Sequence, residues 1–157
     1  MQNVLISACL LGVDCKYNGS NNKLDEEIIN SLKEKYILIP VCPEIMGGMP
    51  TPRNPVEIKD GKVFDYDGEE FTKEFEKGSE EVVKLAKLYD ATIAILKENS
   101  PSCGSNYIYD GTFNHQKIKG MGIAAHKLSK ENIKLFSEEN IKILLWNIKI
   151  LLFVWFF

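Results

Sequence analysis

Leu24 to Lys35 (LDEEIINSLKEK) runs directly into Tyr36 to Val41 (YILIPV), which Cys42-Pro43 closes. In the first stretch Leu24, Ile28, Ile29 and Leu32 recur at helical spacing. Asp25, Glu26 and Glu27 stand in its first turn, where carboxylates complement the helix dipole. The second stretch is a short apolar run rich in β-branched residues, which reads as a buried strand. Upstream, Asn3 to Ser7 is another apolar run, ending in a loop rich in glycine and polar residues. Strand, loop, helix, strand is the grammar of a βαβ unit.

Working outward, Pro43, Gly47, Gly48, Pro50, Pro52 and Pro55 mark an irregular loop of fixed conformation. Val56 to Phe64 carries Asp60-Gly61 between short alternating runs and predicts a small hairpin. Glu69 to Tyr89 is the longest helical pattern, and Ala91 to Leu96 reads as a third buried strand. Lys119 to Leu128 reads as a glycine-led helix and Ile133 to Phe136 as a last short strand. The pattern predicts a single-domain α/β fold, Rossmann-like and three-layered, with a small, mainly parallel sheet and a hairpin insertion.

The domain is expected over residues 1–140. Residues 141–157 form an apolar tail interrupted by Lys142, Trp146, Asn147 and Lys149. It is short for a membrane span and carries two lysines. We read it as a docked helix or an oligomer contact and expect no membrane span. With 45% apolar and 26% charged residues the composition is that of an ordinary soluble protein. A net charge of −3 and the absence of any basic block argue against a nucleic-acid partner. Met1 to Ser7 has no basic leader and no cleavage motif, so a cytoplasmic location is expected. There the four cysteines are expected as thiols or metal ligands rather than disulfides.

Cys9 follows the first strand, Cys42 the second, and Cys103 lies just past the third. Parallel strands place their carboxyl ends on one edge, so these three thiols are expected to converge there. Cys15 lies six residues after Cys9 in the same loop and could reach the same edge. A lone cysteine is more often a buried small hydrophobe. Three at equivalent strand ends, each flanked by proline or glycine, point instead to a metal centre. There is no Cys-x-x-Cys, and His126 reads as a surface or packing residue. Thiolate ligands suit zinc or iron–sulfur. Three cysteines leave one position open, whereas Cys15 as a fourth would close the site.

Polar groups suited to acid–base work surround the thiols: Glu44, Arg53, Lys97, Ser100 and Ser102. Glu44 could also cap or brace, and the two serines could stabilise the turn around Pro101. Arg53 could hold an anionic group bidentately or brace its loop. Gly47 and Gly48 would let backbone approach a ligand, and Gly120-x-Gly122 could present amides to an anion. It lacks the longer dinucleotide fingerprint.

Three separated motifs resemble the thiouracil desulfidase (TudS-like) family, first described only as a domain of unknown function. They are Ser7-Ala8-Cys9-Leu10-Leu11-Gly12 through Cys15-Lys16-Tyr17-Asn18-Gly19, then Pro40-Val41-Cys42-Pro43-Glu44 through Gly47-Gly48 and Pro52-Arg53-x-Pro55, and Lys97-x-x-Ser100-Pro101-Ser102-Cys103-Gly104. The resemblance covers about Val4 to Ile141 and departs at Lys16, where arginine is commoner. It implies a 4Fe-4S cluster held by Cys9, Cys42 and Cys103, with one iron open to substrate sulfur and Cys15 as an auxiliary thiol. It implies Glu44 and Ser100 as catalytic residues, with Ser102, Arg53, Gly47, Gly48 and Lys97 lining the substrate. The implied reaction is non-redox: a small thiolated base such as thiouracil loses sulfide and gains a carbonyl. An open cluster is oxygen-labile, so protein prepared in air is expected to lose it. Two other readings follow from the residues. One is a structural zinc module closed by Cys15. The other is a thiol redox or sulfur-carrier protein using a Cys9–Cys15 pair.

Overall fold

A computed structural model describes residues 1–146. Strand β1 (Gln2–Ser7) leads through a 3-10 turn at Ala8–Leu11 and a long loop to helix α1 (Glu26–Lys35) and strand β2 (Tyr36–Val41). Helix α2 (Pro43–Met46) is a single turn, and β3 (Val56–Lys59) and β4 (Lys62–Asp65) form a hairpin. Helix α3 (Thr72–Leu88) precedes β5 (Ile93–Leu96); β6 (Tyr107–Tyr109) and β7 (Lys117–Lys119) form a second hairpin. Helix α4 (Ile123–Lys130) and β8 (Lys134–Ser137) follow.

The main sheet has the order β2-β1-β5-β8 and is parallel throughout. Side chains alternate across it, as the two-residue period of a strand requires. Val4 and Ile6 of β1 and Ile95 of β5 face Leu32 of α1. Leu5, Ala94 and Leu96 face Val82 and Ala86 of α3 and Leu128 of α4. Three layers follow, α1 on one face and α3 with α4 on the other. The chain therefore leaves β1 toward one face and β5 toward the other. The crevice between their carboxyl ends is the switch point where open α/β sheets bind ligands.

Several elements differ from the sequence expectation. Helix α4 begins at Ile123 rather than Lys119, because Lys117–Lys119 pair with Tyr107–Tyr109 as a hairpin too short to be recognised from periodicity. The proline-rich segment opens with one helical turn, α2, for which Pro43 supplies the first position. Ile141 and Leu144, assigned to the tail, are buried with Val4, Ile6, Leu32 and Tyr36, so the core extends past residue 140. Residues 142–146 are helical, and Lys35 Nζ donates to the Leu144 carbonyl at 2.6 Å. The rest of the expected tail lies outside the described residues. Among those described, no helix is long and apolar enough to cross a membrane.

Candidate functional site

The carboxyl ends of β2, β1 and β5 carry Cys42, Cys9 and Cys103 in that spatial order, because those strands are neighbours in the sheet. Their electrostatic influence on one another places all four cysteines, Cys15 included, in one cluster of thiols. Cys9 and Cys42 are half-buried, whereas Cys15 and Cys103 are buried. Among the described residues, no three His, Cys, Asp or Glu side chains gather around a point that could hold one metal ion. That speaks against a zinc site closed by Cys15, since four ligands must then stand about 2.3 Å from one atom. An all-thiol donor set at the ends of three adjacent strands suits a larger, soft inorganic group held from its outside.

The thiols differ in character. Cys15 donates a hydrogen bond to Cys42; together with the Ile45 amide, and against burial, this brings Cys42 down to about 7. Cys15 itself is raised, chiefly because its proton is held by Cys42 and then because it is buried. Burial pushes Cys103 up to about 12, although the Ser7 and Ser102 hydroxyls lie beside its sulfur. Burial also raises Cys9, opposed by a hydrogen bond from Asn22 and by the nearby Lys97 charge. The close thiol partner of Cys15 is thus Cys42, not Cys9 as the redox reading expected.

Helix α2 sets Glu44 two residues beyond Cys42. The helix is locked in place by two glycines: a methyl on Gly47 would overlap the Glu74 carbonyl of α3, and one on Gly78 of α3 would overlap the Pro43 carbonyl. Gly47 therefore serves helix packing, and the space beside its Cα is not open to substrate. Gly48, with a φ of +94° and nothing within 4 Å of its Cβ position, leaves that side open.

Glu44 is almost fully buried and is held on both oxygens. Arg53 donates to Oε2 from Nε at 2.8 Å, and its Nη2 stands 2.6 Å from the same oxygen in an ion pair. Ser102 Oγ donates to Oε1 at 3.0 Å and stands 3.6 Å from Cys103 Sγ. Ser100 Oγ accepts the Ser102 and Cys103 amides at 3.2 and 3.1 Å, which uses both its lone pairs. Its hydrogen therefore points to Ser102 Oγ, 3.0 Å away, and the Ser102 hydrogen to Glu44. In this arrangement Glu44 accepts on both of its oxygens. Of roughly four lone-pair sites on a carboxylate, three are taken, which leaves one on Oε1.

Arg53, expected to line the substrate, is engaged within the protein. Nη1 donates to the Pro50 carbonyl and Thr51 Oγ1, and Nη2 also donates to the Cys15 carbonyl. With the Nε bond and the Nη2 ion-pair contact to Glu44, every nitrogen of the guanidinium is engaged within the protein. Lys97 is joined to Glu138 in an ion pair and donates to the Glu98 carbonyl at 3.0 Å, which leaves one of its three donors. The Gly120-x-Gly122 amides are not free for an anion. Gly120 donates to Asn106, Gly122 to Gly104, and Ile123 and Ala124 to Pro101 and Ser102. That end of α4 is instead what holds the Cys103 loop.

Sequence reasoning missed Glu98, Glu138 and Asn22. Glu98 is 1% exposed, and its Oε1 accepts the Ser105, Asn106 and Tyr107 amides at 3.0 to 3.1 Å. Oε2 accepts Ser105 Oγ and Asn106 Nδ2. Burial alone would raise this carboxyl, but the bonds from Asn106, Tyr107 and Asn99 outweigh it and hold it below its ordinary value. A carboxylate turned inward to bind backbone amides leaves no periodic signal in sequence. Its only trace is its place at the end of a strand.

Three comparisons with known proteins bear on this arrangement. The 2-thiouracil desulfurase family profile matches residues 4–140. The chain is 38% identical over 148 residues to the uncharacterized protein YbbK of Bacillus subtilis (strain 168), which is 88% of this chain and 97% of that one. Its fold superposes on the 4Fe-4S-dependent thiouracil desulfidase TudS with a TM-score of 0.89 and 33% identity, over 96% of this chain and 99% of that one.

Proposed function

The chain belongs to the 2-thiouracil desulfurase family, and from that membership we propose that it is a cytoplasmic, 4Fe-4S-dependent desulfidase. Its substrate class is the small thiolated pyrimidine, such as thiouracil. The balanced reaction consumes water and a thiocarbonyl compound and yields sulfide and the carbonyl compound, with no net change in oxidation state. The observation that supports this reading is the placing of three cysteines after neighbouring strands, with the buried Glu44 carboxyl bonded to the Cys103 loop at the sheet's switch point. Cys9, Cys42 and Cys103 would hold the cluster, and Cys15 would remain an auxiliary thiol. When bound, the cluster supplies a thiophilic Lewis-acid iron that polarises the carbon–sulfur bond.

The remaining work falls to the protein's own groups. Glu44 keeps one lone-pair site on Oε1, where it holds a water and takes its proton as the water adds to the ring carbon. Ser100 acts on Glu44 through Ser102, whose hydrogen is committed to the carboxylate. The remaining donor of Lys97 and the open backbone at Gly48 are the groups we assign to orienting the base. Burial of Glu44 and Cys103 keeps bulk water from those two groups.

The test is anaerobic reconstitution with iron and sulfide of wild type, Cys103→Ser and Cys15→Ser, with an iron count, an absorption spectrum and sulfide release from thiouracil. A brown wild type with about four irons, lost in Cys103→Ser and kept in Cys15→Ser, is the expected result. A colourless protein that cleaves nothing and requires Cys15 would end the desulfidase reading. The Cys15–Cys42 hydrogen bond favours one alternative, a metal-free thiol carrier. It predicts activity that survives iron chelation and disappears in Cys15→Ser.

A further inference from the structure

We propose that Arg53 is a positioning residue that never touches the substrate and that fixes Glu44 and the Cys15 loop as one rigid unit. The inference rests on the reading of Glu44 as the reacting carboxylate, and its core observation is a complete donor count. A guanidinium has five N–H groups in a planar fork. Four make hydrogen bonds, one to Glu44 Oε2, one to the Cys15 carbonyl at 2.9 Å and two to Pro50 and Thr51, and Nη2 also stands 2.6 Å from Glu44 Oε2 in an ion pair. The side chain is only 6% exposed, so it has neither a spare donor nor an open face for a ligand.

What those contacts connect is three separate pieces of chain. Pro50 and Thr51 belong to its own proline-rich loop, Glu44 to α2, and Cys15 to the loop after β1. The main chain repeats the tie, since the Arg53 amide donates to the Tyr17 carbonyl at 2.8 Å. The loop carrying Cys15 contains glycine at residues 12 and 19, both at positive φ, and has no regular structure between Leu11 and α1. Besides the Arg53 side chain, that loop is held near α2 by the Arg53 amide bond to Tyr17 and by the Cys15–Cys42 hydrogen bond. A lysine keeps the charge but cannot bridge three acceptors in one plane.

The experiment compares wild type, Arg53→Ala and Arg53→Lys as anaerobic holoproteins and as metal-free chains. Two quantities are read: kcat and KM for sulfide release from thiouracil, and the rate of Cys15 alkylation by iodoacetamide followed by peptide mass mapping. A positioning role predicts kcat lower by about 100-fold in Arg53→Ala with KM changed by less than about threefold. It also predicts Cys15 alkylation faster by about tenfold in both variants, as local opening becomes easier. Guanidinium added to Arg53→Ala should restore part of the kcat and slow the alkylation again. A raised KM with kcat preserved and Cys15 alkylation unchanged would make Arg53 a substrate ligand and overturn the inference. If wild type releases no sulfide from thiouracil, the desulfidase reading fails, and the alkylation rates alone decide: unchanged rates overturn the positioning role, faster rates sustain it.

Discussion

Ser102 Oγ lies 3.0 Å from Glu44 Oε1, so one hydroxyl joins the loop after β5 to the helix after β2 across the sheet edge. Because Ser100 already donates to Ser102, the pair forms a directed line that ends on the carboxylate. Ser102→Ala should therefore lower kcat for sulfide release by at least about tenfold while the iron content stays at the wild-type level. Equal kcat values in the two proteins would show that Ser100 reaches the reaction without Ser102.

The thiols should separate by pH in the metal-free chain. Cys42 is brought to about 7 by the hydrogen bond from Cys15, whereas burial pushes Cys103 up to about 12. Alkylation follows the thiolate fraction, which rises as pH passes the thiol's own value. Cys42 should thus react to half its maximal rate near neutrality, with Cys103 inert until far more alkaline pH. Cys15→Ala removes the donor and should move the Cys42 profile upward. An unmoved profile would show that Cys15 does not stabilise the Cys42 thiolate.

Glu98 is an acid-sensitive point of the fold. Its carboxyl is held below its ordinary value, so its stabilisation is whole above the unfolded value of about 4.3 and falls away as pH drops through the lower folded one. Glu98→Gln sets an NH2 group among donors and should cost about 3 kcal/mol at neutral pH. Urea unfolding at neutral pH and below pH 4 measures both effects. Wild type should lose more stability over that range than the variant.

Gly78→Ala should cost about 3 kcal/mol, since its methyl would overlap the Pro43 carbonyl, which belongs to backbone and cannot swing away. The same substitution pushes α2 off α3 and with it both Cys42 and Glu44. Iron retention after reconstitution should fall alongside the urea midpoint, which distinguishes this position from an ordinary core site.

Ile141→Ala should destabilise the chain by about 3 kcal/mol, because Ile141 is 1% exposed beneath β1 and α1. Urea unfolding of the variant checks whether the core continues past residue 140. A change below about 0.5 kcal/mol, the range of surface substitutions, would return the boundary to that residue.

The local patterns that decide the fold were legible because they have a period. Apolar alternation and helical spacing disclosed β1, α1, β2, α3 and β5, β2 with its bounds unchanged and the others with ends displaced by at most three residues where they fray. The β6–β7 hairpin was not legible, since three-residue strands are too short to show a period. The convergence of Cys9, Cys42 and Cys103 on one edge could also be read from sequence, because parallel strands leave no other place for their carboxyl ends.

Residue type and order therefore determined the layer architecture and the three thiols that share an edge. Which groups remain free to act was decided by tertiary structure alone. Nothing in the sequence around Arg53 shows that its guanidinium is engaged by Glu44, Cys15, Pro50 and Thr51, or that Gly47 is filled by α3. A hydrogen bond depends on where two distant segments come to rest, and only the folded chain brings residues 15, 44, 53 and 102 within reach of one another.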